Sequence, residues 1–111
     1  MAIIEILTLN LRQGTRAAFH QLYITECLPL LYKWKFKIIA HGPSYHDENS
    51  YYVIRSFQSL EERQQMEDAY YSSYDWQQGP REAVMALLER NSYIVVPPET
   101  VRQWLTAVEF L

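Results

Sequence analysis

The 111-residue chain has one cysteine, Cys27, together with only three glycines and five prolines. A lone thiol closes no internal disulfide, which excludes the small disulfide scaffolds and makes a reducing compartment the expected one. So little Gly and Pro leaves no room for a long low-complexity linker. An excess of charge of one sign is missing too. Ten basic residues face 13 acidic ones, for a net charge of −3, and without a basic stripe no nucleic-acid partner is expected. No apolar run approaches the roughly 20 residues that span a bilayer, so no membrane partner is expected. The first residues show no basic stretch followed by an apolar run and a cleavage site, and a cytoplasmic location is the expectation. A Gly-rich phosphate loop, a Ser-His-Asp pattern and a CxxC pair are all absent, and no cofactor is expected.

What is present is the composition of a folded domain. Hydrophobic residues make up 49% and charged residues 21%, and a chain of this length buries roughly two-thirds of its unfolded surface. Aromatic residues reach 14%, nine of them tyrosines.

The hydrophobic period changes along the chain in an orderly way. Residues 3–11, IIEILTLNL, read as a strand that Gln13-Gly14 breaks. Thr15 suits the N-cap of a helix running to about Tyr32, with Phe19, Leu22, Tyr23, Cys27, Leu30 and Leu31 on one face and a kink or break expected at Pro29. Over 33–41, Lys33, Lys35 and Lys37 alternate with Trp34, Phe36 and Ile38, the period of a strand with one wet face whose lysines blunt an edge. A turn from His41 leads to a third strand, Tyr51 to Phe57. Ser59 followed by Glu62 is a capping box, predicting a helix from Leu60 to about Tyr70. Gly79-Pro80 restarts a helix with Pro at its first position, SYIVV over 92–96 is a fourth strand, and Pro97-Pro98 ends it. Val101, Trp104, Leu105 and Val108 then share a helical face in the tail.

The order β-α-β-β-α-β predicts an α+β, ferredoxin-like domain over 1–98, a four-stranded antiparallel sheet with helices on one face, and a helical tail over 99–111. In such a domain the sheet face away from the helices should be polar at every second position. Here Ile4 and Ile6 oppose Ile3, Leu7 and Leu9, while Tyr52 and Ile54 oppose Tyr51, Val53 and Phe57, so both faces are apolar. A homodimer through the sheet face follows as the expectation, with Leu7 taken as facing the partner.

Several segments resemble the NIPSNAP family. The opening IIEILTLNLRQGTRAAF is similar to the family's strand, glycine turn and first helix; Leu28-Pro29-Leu30-Leu31 is similar to the end of that helix; and Phe57-Gln58-Ser59-Leu60-Glu61-Glu62-Arg63 resembles its aromatic-x-Ser-Leu-x-x-Arg segment. Asp75-Trp76 followed by a helix is also similar, and the likeness spans about 3–97. The resemblance implies the dimeric α/β-barrel superfamily. It carries over no reaction residue by residue, and whether the chain is an enzyme stays open. Three readings remain: a small homodimeric protein that binds an apolar or aromatic ligand in the barrel, a cofactor-independent monooxygenase or isomerase, and a protein–protein interaction module.

Glu5 and Arg55 interrupt otherwise apolar strands that neighbour each other in this fold. Buried charges are costly unless paired, so they read either as a cross-strand ion pair or as the polar floor of a barrel cavity. His41 at the end of strand two, with Tyr74 and Trp76 stacking at a mouth, completes the candidate ligand site. His41 and His46, with Asp47 and Glu48, match no metal-ligand spacing, and no metal is expected. Cys27 has no local base and reads as a small buried hydrophobe.

Overall fold

A computed structural model describes residues 2–109, with side chains described to residue 107. Strand β1 (Ile3–Leu11) is followed by α1 (Arg16–Leu22), a π-helical turn over Tyr23–Cys27, and α2 (Leu28–Lys33). Strands β2 (Lys37–Pro43) and β3 (Ser50–Phe57) form a hairpin. Helices α3 (Leu60–Tyr71), α4 (Tyr74–Gln77) and α5 (Arg81–Leu87) lead to β4 (Leu88–Val96) and the tail helix α6 (Pro98–Glu109). The sheet is antiparallel throughout, in the order β2-β3-β1-β4, which is the ferredoxin-like arrangement. No helix among the described residues is long and apolar enough to cross a membrane.

The expected kink takes a specific form. Pro29 has no N–H to offer the carbonyl of Thr25, and its ring would crowd that turn. The chain widens to a π turn just before it, with the Leu28 N–H bonded to the Tyr23 carbonyl, and helical backbone continues to Lys33.

The lysine alternation is not a strand. Lys33 ends α2, Trp34 caps it, and Lys35 takes the left-handed conformation with φ of 70°. The Phe36 N–H then closes back on the Leu31 carbonyl at 2.9 Å and the Lys35 N–H on that of Tyr32 at 3.0 Å, a helix-ending pattern that delivers Phe36 into the core. The strand starts only at Lys37 and bulges near Ile39. At the other end of the domain β4 starts four residues earlier than expected and follows α5 directly. The residue preceding α5 is Pro80 rather than its first helical residue.

Register separates the two sheet faces. Glu5 pairs with Arg55 and Val95, and Leu7 with Val53 and Tyr93, so these point together toward the helices. Leu7 therefore faces the helix layer, not a partner. The outer face carries Ile4, Ile6, Ile54 and Ile94 at one end. At its other end it is polar: Thr8 Oγ1 and Ser92 Oγ lie 2.8 Å apart, and Arg90 Nε donates to Asn10 Oδ1 at 3.3 Å.

The tail helix α6 spans Pro98–Glu109. Within this single chain its Trp104 and Leu105 stay 46% and 62% exposed. The side chain of Val108 and residues 110–111 lie outside the described residues.

The turn between α4 and α5 is held by close backbone approach. A Cβ on Gly79 would stand 2.1 Å from the Asp75 carbonyl oxygen, a backbone atom that cannot swing aside. Gly79→Ala should therefore lower the unfolding free energy by about 1–3 kcal/mol, as overpacking does, in urea titrations followed by circular dichroism. Unchanged stability would show that the loop shifts freely.

Candidate functional site

Helix α3 carries Arg63, Glu67 and Tyr71 at four-residue spacing, so the three share a face. That face lies over Glu5 of β1 and Arg55 of β3. Arg55 donates to Glu5 Oε1 from Nε at 2.7 Å and from Nη2 at 2.6 Å, while Arg63 Nε donates to Glu5 Oε2. Glu67 Oε2 sits 3.3 Å from Arg55 Nη2 and 3.1 Å from Arg63 Nε. Arg55 Nη1 donates to Tyr71 Oη at 3.0 Å. Two carboxyls and two guanidiniums thus form one cluster, with Glu5 1% and Arg55 3% exposed.

Aromatic rings complete the desolvation. The Arg55 guanidinium lies 5.1 Å from the Phe36 ring centre and 5.8 Å from that of Phe57, and Arg63 lies 4.5 Å from that of Tyr93. Burial pushes the Glu5 carboxyl up. The hydrogen bond with Glu67, the charge of Arg55 and the hydrogen bonds of both arginines outweigh that, and Glu5 stays below the usual carboxylate range. Glu67 is pushed the other way, to about 7, by burial and then by the Glu5 carboxylate beside it, against the pull of both arginines.

The cluster forms the polar end of a cavity of about 400 Å³ between the sheet and the helices. Its walls are mostly apolar, with Leu7, Leu9, Phe19, Val53 and Val84 among them. Cys27 belongs to the wall; burial and then Glu26 push its thiol up to about 12, so it is protonated at neutral pH.

Of the residues expected at a site, Glu5, Arg55 and Trp76 come together in this cavity. The cavity lies on the helix side of the sheet within one chain, not inside a barrel between two sheets. Trp76 reaches it because Asp75 is tied down: Lys33 Nζ and Trp34 Nε1 each donate to Asp75 Oδ2 at 2.9 Å, and these bonds, Lys33's first, hold that carboxyl below its usual range. Tyr74 next to it is 79% exposed and does not line the cavity. His41 is elsewhere as well. Its Nδ1 lies 3.0 Å from Tyr51 Oη, which is 2.6 Å from His20 Nδ1, beside a more open hollow of about 450 Å³ along the β2–β3 hairpin. Burial, then the proximity of His20, holds the His41 imidazole below its usual range.

Glu67, Arg63 and Tyr71 were absent from the expected site. A charged stripe on a helix reads by default as a solvated face; the signal was the four-residue spacing opposite two strand-borne charges.

Similar solved structures include a NIPSNAP-like domain protein from Burkholderia xenovorans, 19% identical, with a TM-score of 0.80 over 87% of this chain and 84% of that one. A NIPSNAP family protein from Agrobacterium tumefaciens is 15% identical, with a TM-score of 0.80 over 88% and 93%. The chain shares the fold of these two proteins. A candidate antibiotic biosynthesis monooxygenase from Nitrosomonas europaea shares its outline at 9% identity, with a TM-score of 0.64 over 86% and 88%. No protein-family model matches the sequence, and no curated protein does. At these identities the likeness is one of fold: the four-stranded antiparallel sheet with helices that the order of elements predicted.

The displaced Glu67 carboxyl gives stability a pH dependence. Its folded-state value of about 7 lies above the 4.5 of an ordinary glutamate, so the native state holds the proton more tightly between those values. Its contribution is complete below about pH 4.5 and is lost as pH rises through about 7. His41, held below 6.5, works in the opposite direction. The readout is therefore the difference between variants: from about pH 5 to about pH 8, wild type should lose melting temperature relative to Glu67→Gln. Parallel curves for the two would show that Glu67 titrates normally.

Proposed function

We propose that this protein is a homodimer that binds a small ligand with an apolar or aromatic body and a polar head in the cavity between sheet and helices. The observation that carries the reading is the cavity itself: about 400 Å³, walled by aliphatic and aromatic side chains, with Glu5, Arg55, Glu67 and Tyr71 gathered at one end. Ligand sites are built this way, with apolar walls for affinity and a few polar groups for orientation. A pure interaction module would have that space filled by side chains. The monooxygenase reading has only a shared fold behind it, and fold alone assigns no reaction.

Binding is tested with 2-naphthol, whose flat bicyclic body suits the walls, by quenching of tryptophan fluorescence. Saturable binding at or below roughly 1 mM is expected, and Leu7→Trp, which fills the cavity from β1, should abolish it. A wild type that does not saturate, or a Leu7→Trp variant that binds equally well, overturns the site.

Support for the dimer comes from the outer sheet face, where exposed Ile94 stands beside half-buried Ile6 and Ile54, and from the exposed Trp104 and Leu105 of α6. Sedimentation equilibrium at micromolar concentration should give twice 13.2 kDa. Ile6→Asp, on the outer face, should give monomer, since an unpaired buried charge costs several kcal/mol. A wild-type monomer would remove the dimer from the proposal.

A further inference from the structure

Two groups at the polar end have more capacity than holding a ligand requires. Glu5 is saturated, with one oxygen taking two bonds from Arg55 and the other a bond from Arg63. Glu67 meets the arginines at longer range, 3.1 Å to Arg63 and 3.3 Å to Arg55, shares a hydrogen bond with Glu5 when it carries its proton, and lines the cavity. Tyr71, one turn further along α3, also lines it. Its hydroxyl oxygen accepts from Arg55 Nη1 at 3.0 Å. A phenol that accepts still has its own proton to donate, and among the described residues none takes it. A carboxylate with longer contacts to its arginines and a hydroxyl donor polarised by a guanidinium thus lie one helical turn apart on the wall of a mostly apolar cavity.

We propose that Glu67 and Tyr71 form a base and donor pair that moves a proton on carbon next to the carbonyl of a bound aromatic or unsaturated ketone, which makes the protein an enolising isomerase. The inference rests on the cavity being a ligand site. In the forward step the Glu67 carboxylate takes the proton from the carbon beside the carbonyl. The C–H electron pair becomes the C=C bond, and the carbonyl π pair moves to oxygen, which accepts the hydrogen bond of Tyr71. In the return step Glu67, now a carboxylic acid, gives the proton back to the same carbon or to a conjugated one. Nothing is oxidised or reduced, and no second reactant enters.

The surroundings suit that task. The charged and titratable groups facing Glu67 are Glu5 from β1, Arg55 from β3, and Arg63 and Tyr71 from its own helix; Tyr93 of β4 lies against Arg63, and Arg81 of α5 is on the cavity wall. Burial and the Glu5 carboxylate prevail over the two arginines and place the Glu67 carboxyl at about 7. Its base and acid forms then coexist at neutral pH, where a group that must both take and return a proton works best. Arg55 and Arg63 keep the site compensated while negative charge develops on the ligand oxygen.

The probe is 2-tetralone in D₂O, with loss of its benzylic C1 proton signals followed by NMR and binding followed by tryptophan fluorescence. Wild type should speed the exchange above the buffer rate, with a rate that rises with pH and levels off above about 7. Glu67→Gln should lower the rate roughly 100-fold or more, the scale of general-base catalysis, a far larger loss than any weakening of 2-tetralone binding. Tyr71→Phe should lower kcat by a larger factor than it raises KM. Should Glu67→Gln fail to fold, the wild-type pH profile decides, and a flat profile overturns the inference. Binding without exchange, or exchange untouched by Glu67→Gln, overturns the proton transfer and leaves the cavity reading intact. Absence of 2-tetralone binding to wild type overturns both.

Discussion

The interaction on which the rest of the structure depends is the burial of the Glu5 carboxylate between two arginines. Removing a carboxylate from water costs several kcal/mol even after relaxation, and Glu5 is almost wholly buried. That cost is offset only where both oxygens are met by charge, which Arg55 does on one and Arg63 on the other. The two arginines come from different layers, β3 in the sheet and α3 above it. Glu5 therefore fixes how α3 sits on the sheet more strictly than apolar packing would, since ion pairs need direction and apolar contacts do not. Arg55 is buried in turn and lies over Phe36 and Phe57. Phe36 is delivered there by the left-handed turn at Lys35, so the odd end of α2 and the ion cluster form one connected arrangement.

The same cluster sets the chemistry of the cavity. Two acids and two bases balance, yet the two acids are not equivalent. Glu5 takes the short contacts and stays ionised; Glu67 takes what remains and holds its proton to near neutrality. Placing one carboxyl fully inside the guanidinium clasp and the other at its edge separates two identical side chains into a structural ion and a titrating group. Such separation by environment is how paired carboxylates come to do different work.

Most of the architecture was legible because it rests on local patterns. The strands β1 and β3 show their period in aliphatic and aromatic residues, the Ser59 cap announces α3, and Glu5 and Arg55 stand out as charges among apolar neighbours. The errors have physical causes. Lys33 to Ile38 alternates as a strand would, but Lys33 and Trp34 are held by Asp75, 42 and 41 residues on, and the helix end is closed by backbone bonds that no side-chain pattern reports. After Leu88 the first half of β4, Glu89 to Asn91, is polar because an edge strand left largely uncovered does not need apolar residues. Arg63, Glu67 and Tyr71 escaped notice because a helix face reads as solvated when it is charged; only the charges waiting on the sheet below say otherwise.

Alternation along the strands ties site and assembly together. Glu5 belongs to the cavity and Ile6 to the outer face; Arg55 to the cavity and Ile54 to the outer face; Tyr93 lies against Arg63 and Ile94 points away from it. Residues that are neighbours in sequence thus serve opposite sides of one sheet. A slip of one residue in any strand would exchange the two sets and place isoleucines at the guanidiniums and charges on the apolar patch. The Glu5–Arg55 pair opposes such a slip between β1 and β3, because those strands can move past each other only by separating buried opposite charges. The contact that orients the cavity is therefore also the one that keeps the outer face apolar, and the two sides of the sheet cannot vary independently.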